Sequence, residues 1–518
     1  MSELIRIKNF IDGEWVTEAD EKTLPLYNPS TGEQIGEVPL AAQATVRAAV
    51  QSSHAAYLQW RKVPLGTRVG YIFALHEAMQ QSKESLAVSI AIDQAKHISE
   101  ARGEVQRVIE IVQMACNAPS LLQGETLGQI AEGINGRVTR QPLGVFCGIA
   151  PFNFPALVFG WFIPFAIAAG NTFVFKPSME SPLFMQKMGQ LLNDIGLPKG
   201  VVNIVHGEKE VAETWYEMPE VAGVCLVGSS PTAKSIASAC GRVGKKTMLL
   251  GGAKNYLVAL QDAQMDLLIS NIVQSGYGSA GQRCLASSVI AVVPELYDEV
   301  IERLVAASKT VVVGDAMDEA VFMGPVISAQ ARQKIEGYIQ SGVDEGAKLV
   351  LDGRNPEVPE ANKNGYFIGP TILTDATPCM KIVQEEIFGP VLSVMKIKDL
   401  DDALDLIRKQ PTGNGACLFT QNMYAAETFM NEADVGMVGI NVGVCAPHPY
   451  LPFGGIKDSL VGNNKVQGKD GFDFFTQNKV STIRVAPPQS LSVNPAADGS
   501  TKNNGAAAQS NVRSCIAS

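Results

Sequence analysis

The chain has 518 residues, 46% of them apolar, and a formal net charge of −10. That composition supports large cores and a soluble globular protein of roughly two to four domains. The negative balance argues against nucleic acid or an anionic membrane as a main partner, yet leaves room for a local basic pocket that takes an anionic substrate. The nine cysteines are scattered, with no C-x-x-C pair and no histidine cluster at metal spacing, which points to a reduced, cytoplasmic protein without a structural metal.

In chain order, the opening residues "MSELIRIKNFIDGEWV" lack the apolar core of a signal peptide and pass straight into strand-like alternation. Residues 99–116, "SEARGEVQRVIEIVQMAC", predict an amphipathic helix whose main apolar stripe is Val105, Ile109, Val112 and Cys116. Arg107 falls on the opposite side, in line with Ile111 and Met114. An arginine with apolar neighbours on its own face suggests the mouth of a pocket, the alternative being a surface arginine with a packed stem. From about residue 140 strands and helices alternate: "GVFCGIAP", "NTFVFKP", "GVVNIVHG" and "GVCLVGSS" read as strands of a parallel sheet, with a nucleotide-sized crevice at their carboxyl ends. The most apolar run, Phe154 to Gly170, is interrupted by Pro164 and predicts a buried helix rather than a membrane span. A second α/β unit begins near 251, with strands at "SSVIAVV", "GPVLSVMKI" and "GACLFT". From Ala486 the composition turns to Ala, Ser, Asn and Pro and predicts a disordered tail, ending in "CIAS", which fits a prenylation signal at Cys515 but lacks an upstream polybasic stretch.

Three stretches bear on chemistry. "GYGSAGQRCLASS", 276–288, places Cys284 after a Gly-rich turn among small residues, where a thiol is reachable and backbone N–H groups converge. A small buried hydrophobe is the competing reading. "GIAPFNFPALVFGWFIPFAIAAGNTFVFKPSMESP", 148–182, sets Asn153 at one strand end, where its amide can donate to an oxyanion, and Lys176 at the next, where it can meet ribose hydroxyls or phosphate. In "KTMLLGGAKNY", 246–256, a strand runs into Gly-Gly behind Leu249 and Leu250. That strand end brings backbone close to a ligand but offers no carboxylate to activate water.

The motifs "IDGEW", "YNPSTGE", "APFNFP", "AAGNTFVFKPS", "LVGSS", "GQRC", "GPTIL" and "EEIFGPV" occur in the order seen in the aldehyde dehydrogenase superfamily, and the resemblance covers about residues 8–484. Through "GIAPFNFP", "CLVGSS", "GAKN", "AGQRC" and "DFFTQ" the chain most resembles the CoA-acylating methylmalonate-semialdehyde dehydrogenases. The resemblance implies an α/β aldehyde dehydrogenase fold, with a Rossmann-like NAD domain (1–122 and 142–250), an α/β catalytic domain (251–466) and a small β oligomerisation flap (123–141 and 467–485) ahead of the 486–518 tail. It also implies a homodimer or homotetramer. It places Cys284 on the nucleophile and Asn153 on the oxyanion hole. NAD falls to Ala150, Phe152, Lys176, Met179, Glu180, Ser229, Gly251, Glu386 and Phe388, and the substrate carboxylate to Arg107 and Arg283, as bidentate geometry suits.

Two departures matter. Relatives carry a glutamate three residues after the lysine to read the adenosine ribose, where this chain has Met179 followed by Glu180, so the choice between NAD and NADP stays open. Hydrolytic relatives carry a glutamate just before the glycine of "LLGG", where this chain has leucine. Without that base a Cys284 thioester should react poorly with water and well with a thiol, and the expected co-substrate is coenzyme A. The expected activity is NAD-dependent oxidation of malonate or methylmalonate semialdehyde, with decarboxylation, to acetyl-CoA or propionyl-CoA. Alternatives are a hydrolytic NAD(P)-dependent dehydrogenase of another carboxylated or sulfonated semialdehyde, a cysteine hydrolase or acyltransferase, and a non-catalytic binding protein.

Overall fold

A run such as VFCGI has no polar alternation, so a strand built from it must be covered on both faces. Val145–Ile149 (β1) is that strand in the computed structural model, which describes residues 4–18 and 22–485. The expected disorder of 486–518 and the Cys515 signal lie outside the described residues. β1 sits in an eight-stranded sheet between Thr172–Lys176 (β2) and Val221–Val227 (β3), both parallel to it, and β3 pairs in parallel with Lys246–Leu250 (β4). The register sets Ile149 opposite Lys176 and Leu226, and Val227 opposite Leu250. All four carboxyl ends therefore share one edge, which is where a parallel sheet presents its crevice. The chain returns to this sheet late, when Leu460–Val461 pairs antiparallel with Leu249 and Leu250.

Two helices stack at this sheet, the inner one against β2. Ile98–Ala115 (α1) packs against Pro155–Ala169 (α2). The stripe predicted for α1 is buried, but so are Ile111 and Met114, because α2 covers a broader arc than a single stripe. α2 is apolar all round and buried at nearly every position. Among the described residues no helix is long and apolar enough to cross a membrane. Ser230–Arg242 (α3) follows β3 directly, opened by Ser229, whose Oγ accepts from the Thr232 N–H.

The second sheet has seven strands, with Asn255–Ala259 (β5) and Ser287–Val292 (β6) parallel neighbours at its centre. Between Met265–Tyr277 (α4) and β6 the chain makes a tight turn in which Ser279, Ala280 and Gly281 all have left-handed φ, at 50°, 52° and 70°. A side chain at Gly281 would collide with the Gly389 carbonyl, so both the conformation and the space require glycine there.

The described residues divide into two compact units, one within 4–124 and 139–479 and the other of 125–138 and 480–485. The helix Gly468–Phe474 belongs to the first unit, where Phe472 meets the Phe165 ring of α2 edge-on at 5.0 Å. In the second unit Glu125–Ala131 lies antiparallel to its neighbour, Glu125 opposite Val138, and is exposed along its whole length.

Candidate active site

Cys284 stands between two cavities. One, of about 240 Å³, opens at the carboxyl edge of the first sheet and is lined by Phe152, Asn153, Ser229, Gly251, Glu386 and Phe388 among others. The other, of about 300 Å³, lies against α1 and receives Arg107 and Arg283. Cys284 and Phe154 line both. The cysteine is held through its backbone: its carbonyl accepts from the Asn255 side chain at 2.8 Å and the Asn414 side chain at 2.9 Å. Asn255 opens β5, four residues after the first glycine of "GGAKN", so that motif fixes the Cys284 carbonyl.

Asn153 is buried and its side-chain nitrogen donates to the Gln282 carbonyl at 2.8 Å, which ties the amide to the loop carrying Cys284. Its own carbonyl accepts from Lys96 at 2.7 Å. Lys96 is in turn paired with Glu104 at 2.5 Å and stands 3.9 Å over the Phe154 ring. Glu104 also accepts from the Ala156 and Leu157 N–H groups at 2.9 and 3.0 Å, capping α2 at the end where a carboxylate complements the helix dipole.

Burial, and after it the Glu386 carboxylate, push the Cys284 thiol up to about 12. Burial likewise raises Glu386 to about 7, against the pull of Lys254 and Lys334. Lys254 is itself buried, its Nζ without a hydrogen-bond partner among the described residues, and burial lowers it to about 7. Phe388, at φ 60°, meets the Phe152 ring edge-on at 5.8 Å across the mouth of the crevice.

The leucines of "LLGG" face opposite ways. Leu249 is buried in the apolar cluster of α3, and Leu250 in the cluster against which Cys284 packs. Neither lines a cavity, so no carboxylate reaches Cys284 from β4. On the α1 side both lining carboxylates are already engaged, Glu104 as above and Glu100 by Ser279 and Arg283. None of His54, His76, His97, His206 or His448 lines either cavity.

Four sequence candidates stand apart from these cavities. Ala150 is buried, donating its N–H to the Lys176 carbonyl. Lys176 is buried and lowered to about 8, with Glu208 the charge that opposes the shift. The Met179 sulfur accepts from the Gly207 N–H at 3.2 Å while the side chain packs on Leu26 and Leu183, and Glu180 is exposed beyond it. Sequence reading missed Lys96, Glu100, Glu104, Asn255, Asn414 and Glu208. Only the amides had a local signal, being asparagines at a strand start and a strand entry.

Residues 15–481 match the profile of the aldehyde dehydrogenase family. The chain is 41% identical over 484 residues to malonate-semialdehyde dehydrogenase 2 of Bacillus mycoides (strain KBAB4), an alignment covering 93% of this chain and 100% of that protein. It is 42% identical over 478 residues to malonate-semialdehyde dehydrogenase 2 of Shouchella clausii (strain KSM-K16), covering 92% and 98%. The crystal structure of methylmalonate-semialdehyde dehydrogenase from Oceanimonas doudoroffii superposes with a TM-score of 0.92 at 39% identity, covering 93% of this chain and 99% of that one. A Sinorhizobium meliloti 1021 protein provisionally assigned the same activity, and solved with NAD, also gives a TM-score of 0.92, at 36% identity and coverages of 94% and 99%.

Proposed function

The chain belongs to the aldehyde dehydrogenase family, and from that premise we propose that it oxidises a short anionic semialdehyde of the malonate or methylmalonate type and passes the acyl group to coenzyme A. The observation that supports this most is the α1 cavity: two arginines, Arg107 and Arg283, share one pocket with the nucleophile, on the side away from the nucleotide crevice. Planar guanidinium forks suit a carboxylate better than any neutral group.

The donor set of the crevice fits NAD. Ser229 opens a thirteen-residue helix whose free N–H groups suit a pyrophosphate, while Glu386 and Lys334 line the cavity where ribose hydroxyls need an acceptor and a donor. Lys176 beside Glu208 offers the adenosine ribose the cation and carboxylate that Met179 cannot, and a carboxylate there disfavours a 2′-phosphate. NAD, when bound, supplies the hydride acceptor.

The protein's own part follows from the geometry. The Cys284 thiol gives up its proton to solvent water in the cavity as its sulfur bonds the aldehyde carbon, and the carbonyl oxygen becomes an oxyanion. The Asn153 amide and the Cys284 N–H, on a residue whose carbonyl is held by Asn255 and Asn414, stabilise that oxygen. Loss of hydride leaves a thioester. In a malonate-type thioester the bond to the β-carboxylate breaks, CO2 leaves, and the electron pair rests on the same oxygen before a proton restores the acyl group. CoA then displaces Cys284, its thiolate partly populated near neutral pH where water has no base from β4 to activate it.

A hydrolytic second reading is favoured by one observation. Glu386, raised to about 7, lines the crevice beside Cys284 and can serve as a base. Aldehydes of graded charge, followed through NADH formation with and without CoA, separate the two: acyl-CoA as product supports transfer, free acid alone supports hydrolysis. In the second unit Leu127, Ile130 and Val480 are exposed by 66%, 49% and 71%, which supports self-association as a homodimer or homotetramer.

A further inference from the structure

The α1 cavity is charged in a way that two arginines alone do not describe. Its lining contains three cations, Lys96, Arg107 and Arg283, and two carboxylates, Glu100 and Glu104. Lys96 and Glu104 cancel each other in a pair whose side chains are each 1% exposed. Arg283 is cancelled by Glu100, which its Nη2 contacts directly, and a further nitrogen of the fork reaches the Gln274 carbonyl at 3.4 Å. The guanidinium lies so close to Gly278 that a side chain there would stand 2.6 Å from it. Arg107 remains. Its one ion pair is made by Nη1, 3.3 Å from Glu110 one turn along α1, a residue that does not line the cavity, and both side chains are partly exposed. Such a pair is screened and weak.

Glu100 is not free to give way to a substrate. Its carboxylate accepts from the Ser279 N–H at 2.9 and 3.1 Å and from the Ser279 hydroxyl at 3.2 Å. Ser279 is buried and left-handed, in the turn that leads to Cys284. A swing of Glu100 out of the cavity would strand a buried N–H in a strained turn, a conformation that persists only while its surroundings hold it. Glu100 therefore stays in the cavity with its negative charge when substrate enters.

We propose that Glu100 is a specificity-determining residue: by keeping Arg283 neutralised it leaves the cavity one net positive charge, on Arg107, and so admits aldehydes bearing a single negative charge while rejecting dianionic ones. The inference rests on Arg107 and Arg283 being the anion site. A monoanion meets Arg107 and the remaining N–H groups of Arg283. A second negative charge finds no free counter-charge and faces Glu100 in a site shielded from water, where like charges repel strongly.

The test has two arms. With the wild-type enzyme, ethanesulfonate, a monoanion throughout, and ethylphosphonate, which gains its second charge between about pH 6 and pH 9, are compared as inhibitors competing with the aldehyde. The phosphonate should lose at least fivefold in potency relative to the sulfonate across that range. A constant or rising relative potency overturns the proposal. In the second arm Glu100→Gln keeps an acceptor for Ser279 but removes the charge, and kcat/KM for glyceraldehyde 3-phosphate divided by that for malonate semialdehyde should rise at least tenfold. A purely structural Glu100 would lower both alike and leave the ratio where it was, which also overturns the proposal. Arg107→Leu tells the two failures apart. If it weakens anionic aldehydes selectively while Glu100→Gln leaves the ratio fixed, only the role of Glu100 falls; if it weakens propanal equally, the anion site itself falls.

Discussion

Lys96 and Glu104 form an ion pair, 2.5 Å apart and cut off from water, that grips Asn153 from both sides of its chain. The lysine holds the Asn153 carbonyl and the glutamate caps the helix that starts two residues later. Removing one partner of a buried pair leaves the other charge stranded. Lys96→Met should destabilise the protein by about 3–5 kcal/mol in urea titration and lower kcat for neutral and anionic aldehydes alike. Unchanged stability would mean that Glu104 is satisfied by its two backbone contacts alone.

The Cys284 thiol, raised by burial and then by Glu386, is mostly protonated at neutral pH. Because only the thiolate attacks, iodoacetamide labelling of the protein without cofactor should be slow near pH 7 and still climbing at about pH 10. Glu386→Gln removes a charge that opposes the thiolate, so labelling at pH 8 should speed up several-fold. A plateau below about pH 8 in the wild-type protein would contradict the burial argument.

Cys284→Ser should abolish NADH formation and leave NAD affinity within a few-fold, since the thiol serves the reaction more than the crevice. Arg107→Leu should raise KM for malonate semialdehyde by roughly 10- to 150-fold while moving propanal little, as expected for one charged hydrogen-bonded contact of about 1.5–3 kcal/mol. Steady-state kinetics on the two aldehydes decide this.

Without CoA, turnover should be slow and preceded by a burst of NADH close to one per active site. CoA should lift the steady rate by something like the 100- to 10,000-fold that general-base catalysis is worth. Leu250, the residue before the crevice-lining Gly251 and a member of the apolar cluster against which Cys284 packs, is the position at which to test an introduced glutamate. Leu250→Glu should raise the CoA-independent rate at a cost in thermal stability, while Leu249→Glu, buried toward α3, should cost stability and gain nothing. A burst-free rate indifferent to CoA would favour hydrolysis with Glu386 as the base.

Much of this was legible along the chain. Parallel strands announced themselves as unbroken apolar runs, and Cys284 and Asn153, 131 positions apart, stood out because each sits in a small-residue context that folding brings to one edge. Glu100 and Glu104 were not legible. On a helix with an apolar stripe, glutamates outside the stripe read as solvated, and only the packing of α1 against α2 and the nucleophile's turn reveals that the polar face is also covered. Met179 was noticed as a missing carboxylate, but Glu208, the carboxylate whose charge acts on Lys176, comes from a different loop and has no spacing to betray it.

Gly281 and Gly389 touch backbone to backbone, with no side chain between them to act as a cushion. One belongs to the turn that delivers the nucleophile and the other to the segment bearing Glu386 and Phe388. Such a joint transmits displacement instead of absorbing it. A displacement of the segment bearing Glu386 and Phe388 is therefore passed directly to the turn that holds Cys284.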